Sequence, residues 1–167
     1  MPKLIKNRAI VENDFALISE IEADAAAPEG KVILPVQYYL DNRDALAGRN
    51  DIAVWLESDQ AAELVQPLTA EVAFIAVNFP KFADGRGYSY ARLIRERFNY
   101  TGELRAIGDV LLDQLHFMER CGFDSFDVRA DKDLEEALTG FTQFRYSYHA
   151  ANDNPTPLFR KRQAEQA

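Results

Sequence analysis

The residues best suited to chemistry form a short loop, Asp84-Gly85-Arg86-Gly87, that comes directly before a segment with helical periodicity. Glycines expose backbone N–H groups, a helix N-terminus favours negative charge, and a guanidinium donates paired hydrogen bonds to an oxyanion. The pattern therefore predicts an anion site on Gly85, Arg86 and Gly87. A plain turn capped by Asp84 explains the same residues equally well, because Gly and Asp are common in turns.

The loop does not complete either common phosphate-binding motif. It is not followed by the Gly-Lys-Ser/Thr of a Walker A loop, and it lacks the third glycine of the dinucleotide fingerprint. The residues thus indicate an anion without specifying a nucleotide.

Basic residues are concentrated around this loop. From Lys81 to Arg105, six basic and three acidic residues give a local net charge of +3, although the whole chain carries −8. We include Arg92 and Arg105 in the predicted anion site because both lie near predicted strand–helix junctions. The alternative for Arg92 is a solvated helix face, with Glu96 four residues later as its partner.

Asp109 is the candidate catalytic residue. It follows a predicted strand, and a carboxylate at such a position can act as an acid, a base or an ion-pair partner of Arg86. Capping of the next helix is the commoner role for an aspartate placed there.

Other reactive side chains point to no further site. Cys121 lies late in a predicted helix with no second cysteine, which favours a buried structural thiol. His116 and His149 lack evident acidic partners, and two histidines with one cysteine do not make a usual structural zinc site. We therefore predict no metal. The sequence identifies no cofactor, and flavin has no short motif by which it could be recognised.

Composition narrows the function classes. With 167 residues, 47% hydrophobic and 28% charged, the chain fits one globular domain. Its acidic balance argues against nucleic acid as a partner. No apolar run approaches the roughly 20 residues of a membrane span, and the start has no signal-peptide core. A single cysteine suits a reducing compartment, so we predict a cytoplasmic protein.

Short apolar runs alternate with helical segments. The predicted strands are Lys31–Val36, Ile52–Leu56, Ala73–Val77, Leu104–Ile107 and Ser125–Val128. The predicted helices are Asp59–Val65, Tyr88–Phe98, Val110–Cys121 and Leu134–Leu138. This alternation predicts an α/β fold of about five βα units with a mainly parallel sheet, either an open doubly wound sheet or a partial barrel.

The two ends of the chain have their own patterns. Lys3–Ile5 and Ala9–Val11 flank Asn7–Arg8 and predict an N-terminal β-hairpin. Phe144, Tyr146 and Tyr148 alternate with polar residues, as in an edge strand or a docked extended arm. We predict a single domain over residues 1–151 and a tail without fixed structure over 152–167.

Two runs of the sequence resemble a known family. PKFADGRGYSYARLIRER and GELRAIGDVLLDQLHFMERCGFDSF are similar to a proteobacterial domain family of unknown function, usually described as an oxidoreductase of sulfite reduction. Its members are typically encoded beside the sulfite reductase hemoprotein and the phosphoadenylylsulfate reductase. The matching residues are Asp84, Gly85, Arg86, Gly87, Tyr88, Ser89, Arg92, Arg105, Gly108, Asp109, Asp113, Gln114, Cys121 and Gly122.

The resemblance implies a place in assimilatory sulfite reduction. One cysteine cannot ligate the clusters of a sulfite-reducing subunit, so the chain is not that subunit itself. The first hypothesis is an accessory protein that binds sulfite reductase or another sulfate-assimilation enzyme. The alternative is a small oxyanion- or nucleotide-binding enzyme that uses the Asp84–Gly87 loop and Asp109. Whether the protein is an enzyme stays open, as does its oligomeric state.

Overall fold

The structure is a computed structural model that describes residues 2–144 and 146–165, with side chains up to residue 163. Eight strands form one sheet. They are β1 (Lys3–Lys6), β2 (Ala9–Glu12), β3 (Ala16–Leu17), β4 (Val32–Pro35), β5 (Ile52–Leu56), β6 (Ile75–Phe79), β7 (Leu104–Gly108) and β8 (Ser125–Phe126). The strand order is β2-β1-β8-β7-β6-β5-β4-β3.

The order of the strands explains the shape of the sheet. Strands β3 to β8 are parallel and lie in chain order, while β1 pairs antiparallel with β2 and β8. Right-handed crossovers that always advance in one direction place their helices on the same face. The sheet curls around its other face into a half-barrel. The predicted α/β fold is therefore confirmed, with the partial barrel as its form.

Every helix except the last covers the convex face. The helices are α1 (Val36–Asp41), α2 (Arg43–Leu46), α3 (Arg86–Glu96), α4 (Leu112–Cys121), α5 (Leu134–Leu138) and α6 (Leu158–Glu165), with 3₁₀ helices at Ala62–Leu68 and Thr139–Thr142. The helix predicted over residues 59–65 is the first 3₁₀ helix and contains Pro67. Helices α1 and α2 were not predicted. The hairpin is confirmed, and the positive φ of Asn7 and Arg8 fits a type I′ turn.

Two cores lie on the two faces of the sheet. The larger core packs the convex face against the helices. The smaller core fills the concave face, and its members are Ile33, Ala53, Phe74, Ala76 and Ile107, with Phe15 and Trp55 against them. Because both faces are covered, the central strands are continuously apolar.

The C-terminal segment contacts the end of α4. Arg120 Nη2 donates to the His149 carbonyl (2.7 Å), and Asn152 Nδ2 donates to the Cys121 carbonyl (3.1 Å). Of the predicted arm Phe144–Tyr148, Arg145 lies outside the described residues, and the others form no strand. Helix α6 lies within residues 152–167. The domain boundary at 151 and a tail without fixed structure over residues 152–167 remain predictions.

Candidate functional site

The carboxyl ends of the parallel strands form the candidate functional site. Asn78 lies opposite Ile107 in the β6–β7 register, and Phe79 lies opposite Gly108. The loops after β6 and β7, which contain Arg86 and Asp109, therefore start from the same edge of the sheet. We call this edge, with its loops, the carboxyl edge. In barrels and other parallel sheets, ligands bind there.

Arg86 is held by an ion pair within its own loop. Its Nε lies 3.0 Å from Asp84 Oδ1, its Nη2 lies 2.6 Å from Asp84 Oδ2, and Nη2 also donates to Ser58 Oγ (3.0 Å). The Arg86 hydrogen bonds hold the pKa of the Asp84 carboxyl well below its usual range. Asp84 thus occupies the Nε–Nη2 donor pair of Arg86, which an external oxyanion would otherwise use.

The two glycines of the loop have different surroundings. Gly85 occupies the N-cap position of α3, and a Cβ there would meet only the Tyr88 ring at ordinary contact distance. A Cβ on Gly87 would lie 2.6 Å from Phe79 Cζ. Packing of α3 on Phe79 therefore accounts for Gly87 without any ligand.

Asp109 connects two loops of the carboxyl edge. Its Oδ2 accepts from the Phe82 backbone N–H (2.9 Å), and its Oδ1 lies 2.8 Å from Arg129 Nη1. The expectation that Asp109 caps the next helix is wrong, because α4 has Leu111 at its N-cap position. The Leu111 N–H donates instead to Gln114 Oε1 (3.0 Å). Asp109 therefore fastens the loop after β6 to the segment after β8.

Arg92 and Arg105 lie apart from this edge group. Arg92 pairs with Glu96 on the exposed face of α3, with Nη2 and Oε1 3.0 Å apart. Arg105 is 4% exposed, and its Nε and Nη2 both donate to Glu103 Oε1 (2.9 and 2.7 Å). Its guanidinium carbon lies 3.9 Å from the centre of the Phe74 ring. The five predicted anion-site residues thus do not form one cluster, and anion binding by them remains a prediction.

Several polar residues of the carboxyl edge were missed from sequence. Asn78 Nδ2 donates to both carboxylate oxygens of Glu57, and Trp55 Nε1 donates to the Ile18 carbonyl (3.0 Å). Glu57 directly follows β5, and Arg129 follows β8 by three residues. A search for polar side chains at or just beyond each predicted strand end would have found them.

Cys121 is buried, as predicted for a structural thiol. Burial raises its pKa to about 11, so the thiol is protonated at neutral pH and is a poor nucleophile. Among the described residues, no group of three or more His, Cys, Asp or Glu side chains could hold a metal ion. No helix in the described part of the chain is long and apolar enough to span a membrane.

Asp127 is a partly buried carboxylate. It follows β8, and within residues 2–144 and 146–165 its carboxylate makes no hydrogen bond or ion pair. Burial raises its pKa, an effect that the charge of Arg105 only partly offsets. The folded protein therefore binds this proton more tightly than the unfolded chain does. The protein therefore loses stability as the pH rises from the pKa of Asp127 in the unfolded chain through its higher pKa in the folded protein.

Asp127→Asn should consequently stabilise the protein at pH 7, by about 1 kcal/mol, because it removes an unpaired, partly buried charge. The gain should shrink as the pH falls towards the unfolded pKa of about 3.9. Calorimetric melting temperatures at pH 7 and pH 4 test this. Asp131→Asn is the control and should destabilise the protein at pH 7, since hydrogen bonds from Arg129 lower the pKa of Asp131 to about 2. A lower melting temperature of Asp127→Asn than of the wild type at pH 7 would contradict a destabilising charge on Asp127.

Comparison with known proteins gives one match. The model of a family described as "Bacterial protein of unknown function (DUF934)" matches residues 53–159, which are 107 of the 167 residues. No curated protein and no solved structure matches the chain. The matched range includes all but the first residue of β5, then β6 to β8, α3 and α4, and therefore the loops after β6 and β7.

Proposed function

Since the chain belongs to the bacterial DUF934 family, we propose that it is a cytoplasmic accessory protein of assimilatory sulfite reduction that binds a partner enzyme. The pathway is suggested by the resemblance of residues 80–97 and 102–126 to a family typically encoded beside sulfite reductase. The partner we propose is the sulfite reductase hemoprotein, with other sulfate-assimilation enzymes as outcomes of the test below.

Exposed aromatic side chains support partner binding. Among the described residues, five of the seven exposed large hydrophobic residues lie on α4 or the C-terminal segment. We call these five the aromatic surface: Phe117, Phe144, Tyr146, Tyr148 and Phe159. The C-terminal segment contacts α4. The Phe144 ring is 5.2 Å from that of His116, and the Leu158 N–H donates to the Tyr148 carbonyl (3.4 Å).

This composition is typical of protein interfaces. Tyr and Phe are enriched where proteins meet, and grouped exposed aromatic rings mark interaction sites more often than single ones do. The net charge of −8 favours a partner with a basic surface, since complementary charge speeds association. The arginines of the carboxyl edge do not favour a bound ligand over a protein partner, because Arg86 is paired with Asp84 and Arg129 with Asp109.

Tyr148→Ala tests the role of the aromatic surface. Tyr148 is 69% exposed, and as an interface anchor its loss should cost about 2 kcal/mol, or about 30-fold in Kd. The measurement is the Kd of the full chain for purified sulfite reductase hemoprotein, by biolayer interferometry. Phe82→Ala is the matched control, because Phe82 is also exposed (55%) but lies at the carboxyl edge. Equal loss in both variants would contradict a role for this surface.

A second function is favoured by one observation. The Arg86 side chain is 54% exposed at the start of α3, with its Nη2 already oriented by Ser58. A small enzyme or binder could hold a sulfur or phosphorus oxyanion there, with Asp109 as the acid or base. Such a ligand must displace the Asp84 carboxylate to reach the Nε–Nη2 pair of Arg86.

Asp84→Asn distinguishes this second function from the first. The substitution removes the competing charge, so sulfate should bind the variant more tightly than it binds the wild type. A ligand at 100 times its Kd stabilises by about 2.7 kcal/mol, which corresponds to roughly 5–10 °C in melting temperature for a domain of this size. A thermal-shift series with sulfate and sulfite measures it, with Arg86→Ala as the control that should not respond. No shift in Asp84→Asn at any concentration would remove the oxyanion function.

A further inference from the structure

A cavity of about 760 Å³ lies at the amino ends of the strands, away from the carboxyl edge. Its walls come from the β1–β2 turn, the C-terminal end of α4, the loop into β8, the second 3₁₀ helix and the C-terminal segment. The volume falls within the range of about 300–1,000 Å³ that is usual for small-molecule sites. Neither Arg86 nor Asp109 lines it, so the predicted anion site and this cavity are separate.

Aromatic rings form one part of the wall. Phe123, Phe126 and Phe141 line the cavity from the core side, and the Phe126 and Phe141 rings are 5.1 Å apart. Phe144 and Tyr146 line it from the C-terminal segment. Ring faces of this kind stack on planar ligands, so the wall suits an aromatic group.

The charges of the wall favour an anion. Among the described residues, four basic and three acidic side chains line the cavity. The acidic ones are each paired with an arginine: Arg8 with Glu119 (2.6 Å), Arg95 with Asp124 (3.0 Å) and Arg120 with Asp153 (3.4 Å).

The remaining cation is Lys161 of α6. In the part of the chain that the structure describes, Lys161 makes no ion pair. The cavity is thus a locally cationic place on an acidic protein, and an ammonium group of this kind binds phosphate as a point charge.

His116 adds a polar group to the same wall. Its Nδ1 is buried and has no hydrogen-bond partner among the described residues. Its Nε2 lies 3.4 Å from Ser147 Oγ, which also lines the cavity. The wall therefore presents an imidazole and a hydroxyl beside the Phe144 ring.

We infer that this cavity binds a nucleotide-like ligand, in which a planar aromatic ring is joined to a phosphate group. The ring stacks on Phe144, and the phosphate lies at Lys161. Aromatic walls alone would suit many apolar ligands, and an unpaired lysine alone would suit any anion. Their presence in one cavity of this volume selects a ligand that carries both groups.

The test uses the full chain and two probes, FMN and adenosine 5′-phosphate. Stacking of FMN quenches its fluorescence, so a titration gives its Kd, and adenosine 5′-phosphate is added as a competitor. We expect saturable binding of at least one probe. Phe144→Ala and Lys161→Ala should each weaken it about tenfold. Phe82→Ala and Arg162→Ala are the matched controls, since neither residue lines the cavity, and their Kd should stay within about twofold of the wild type.

Three results would overturn the inference. One is the absence of saturable binding of both probes at millimolar concentration. Another is an equal effect of the cavity variants and their controls. The last is inorganic phosphate binding as tightly as adenosine 5′-phosphate, which would show an anion patch without a ring site. Unchanged melting temperatures of Phe144→Ala and Lys161→Ala establish that lost binding is not lost folding.

Discussion

Replacement of Arg95 by alanine will lower the free energy of unfolding by about 3–5 kcal/mol, because it leaves several buried acceptors without a donor. The Arg95 side chain is 14% exposed. It donates to the carbonyls of Tyr100 (2.8 Å), Gly102 (2.7 Å) and Gly122 (2.8 Å), and its Nη2 lies 3.0 Å from Asp124 Oδ2. One side chain thus connects α3 to the loops that precede β7 and β8.

Urea unfolding of the purified chain measures this effect. Arg92→Ala is the matched control, because Arg92 lies three residues earlier in the same helix and, among the described residues, pairs only with exposed Glu96. Its loss should cost no more than about 0.5 kcal/mol. A cost below about 1 kcal/mol for Arg95→Ala would show that water replaces the guanidinium and that the two loops hold their own positions.

Gly108→Ala will destabilise the protein by about 2–4 kcal/mol, from backbone strain and a steric clash together. Gly108 has a φ of +92°, which disfavours any residue with a side chain. A Cβ there would also lie 2.5 Å from the Phe79 carbonyl oxygen and even nearer to Asn78 Oδ1. The residue precedes Asp109, so the clash would displace the centre of the carboxyl edge.

Gly48→Ala separates the two causes. Gly48 has a similar φ of +83°, but a Cβ there would have no atom within 4 Å. It should therefore cost only the backbone strain, about 1–2 kcal/mol. Calorimetric melting of both variants measures the difference. If Gly108→Ala were no worse than Gly48→Ala, the close contact of Gly108 with Asn78 and Phe79 would not constrain the edge.

Much of the fold could be predicted because its signals are local. Ile52–Leu56 was predicted with its observed bounds, since a continuous apolar run ends there at Glu57 and Ser58. Leu134–Leu138 was also predicted, and Asp133 Oδ1 accepts from the Glu136 N–H (2.8 Å) as a capping residue does. Helix α1 was missed because Pro35 joins it directly to β4. The apolar spacing of Val36, Tyr39 and Leu40 nevertheless fits a helix.

The candidate site was harder to predict because its partners are distant in sequence. Asp109 and Arg129 are 20 residues apart and meet only because β7 and β8 are neighbours. Arg105 and Asn13 are 92 residues apart and meet inside the curled sheet. The ion pair of Asp84 and Arg86 is local, yet the sequence cannot tell an arginine that binds its own loop from one that binds a ligand. The curling of the sheet into a half-barrel likewise depends on the order of the strands, and the hydrophobic periodicity of the sequence does not encode that order.

Sedimentation velocity of the full chain mixed with purified sulfite reductase hemoprotein tests the proposed function most directly. At micromolar concentrations of both proteins, we predict a species that sediments faster than either protein alone and that Tyr148→Ala depletes. Two independent boundaries, unchanged on mixing, would contradict an accessory protein that acts by binding this enzyme.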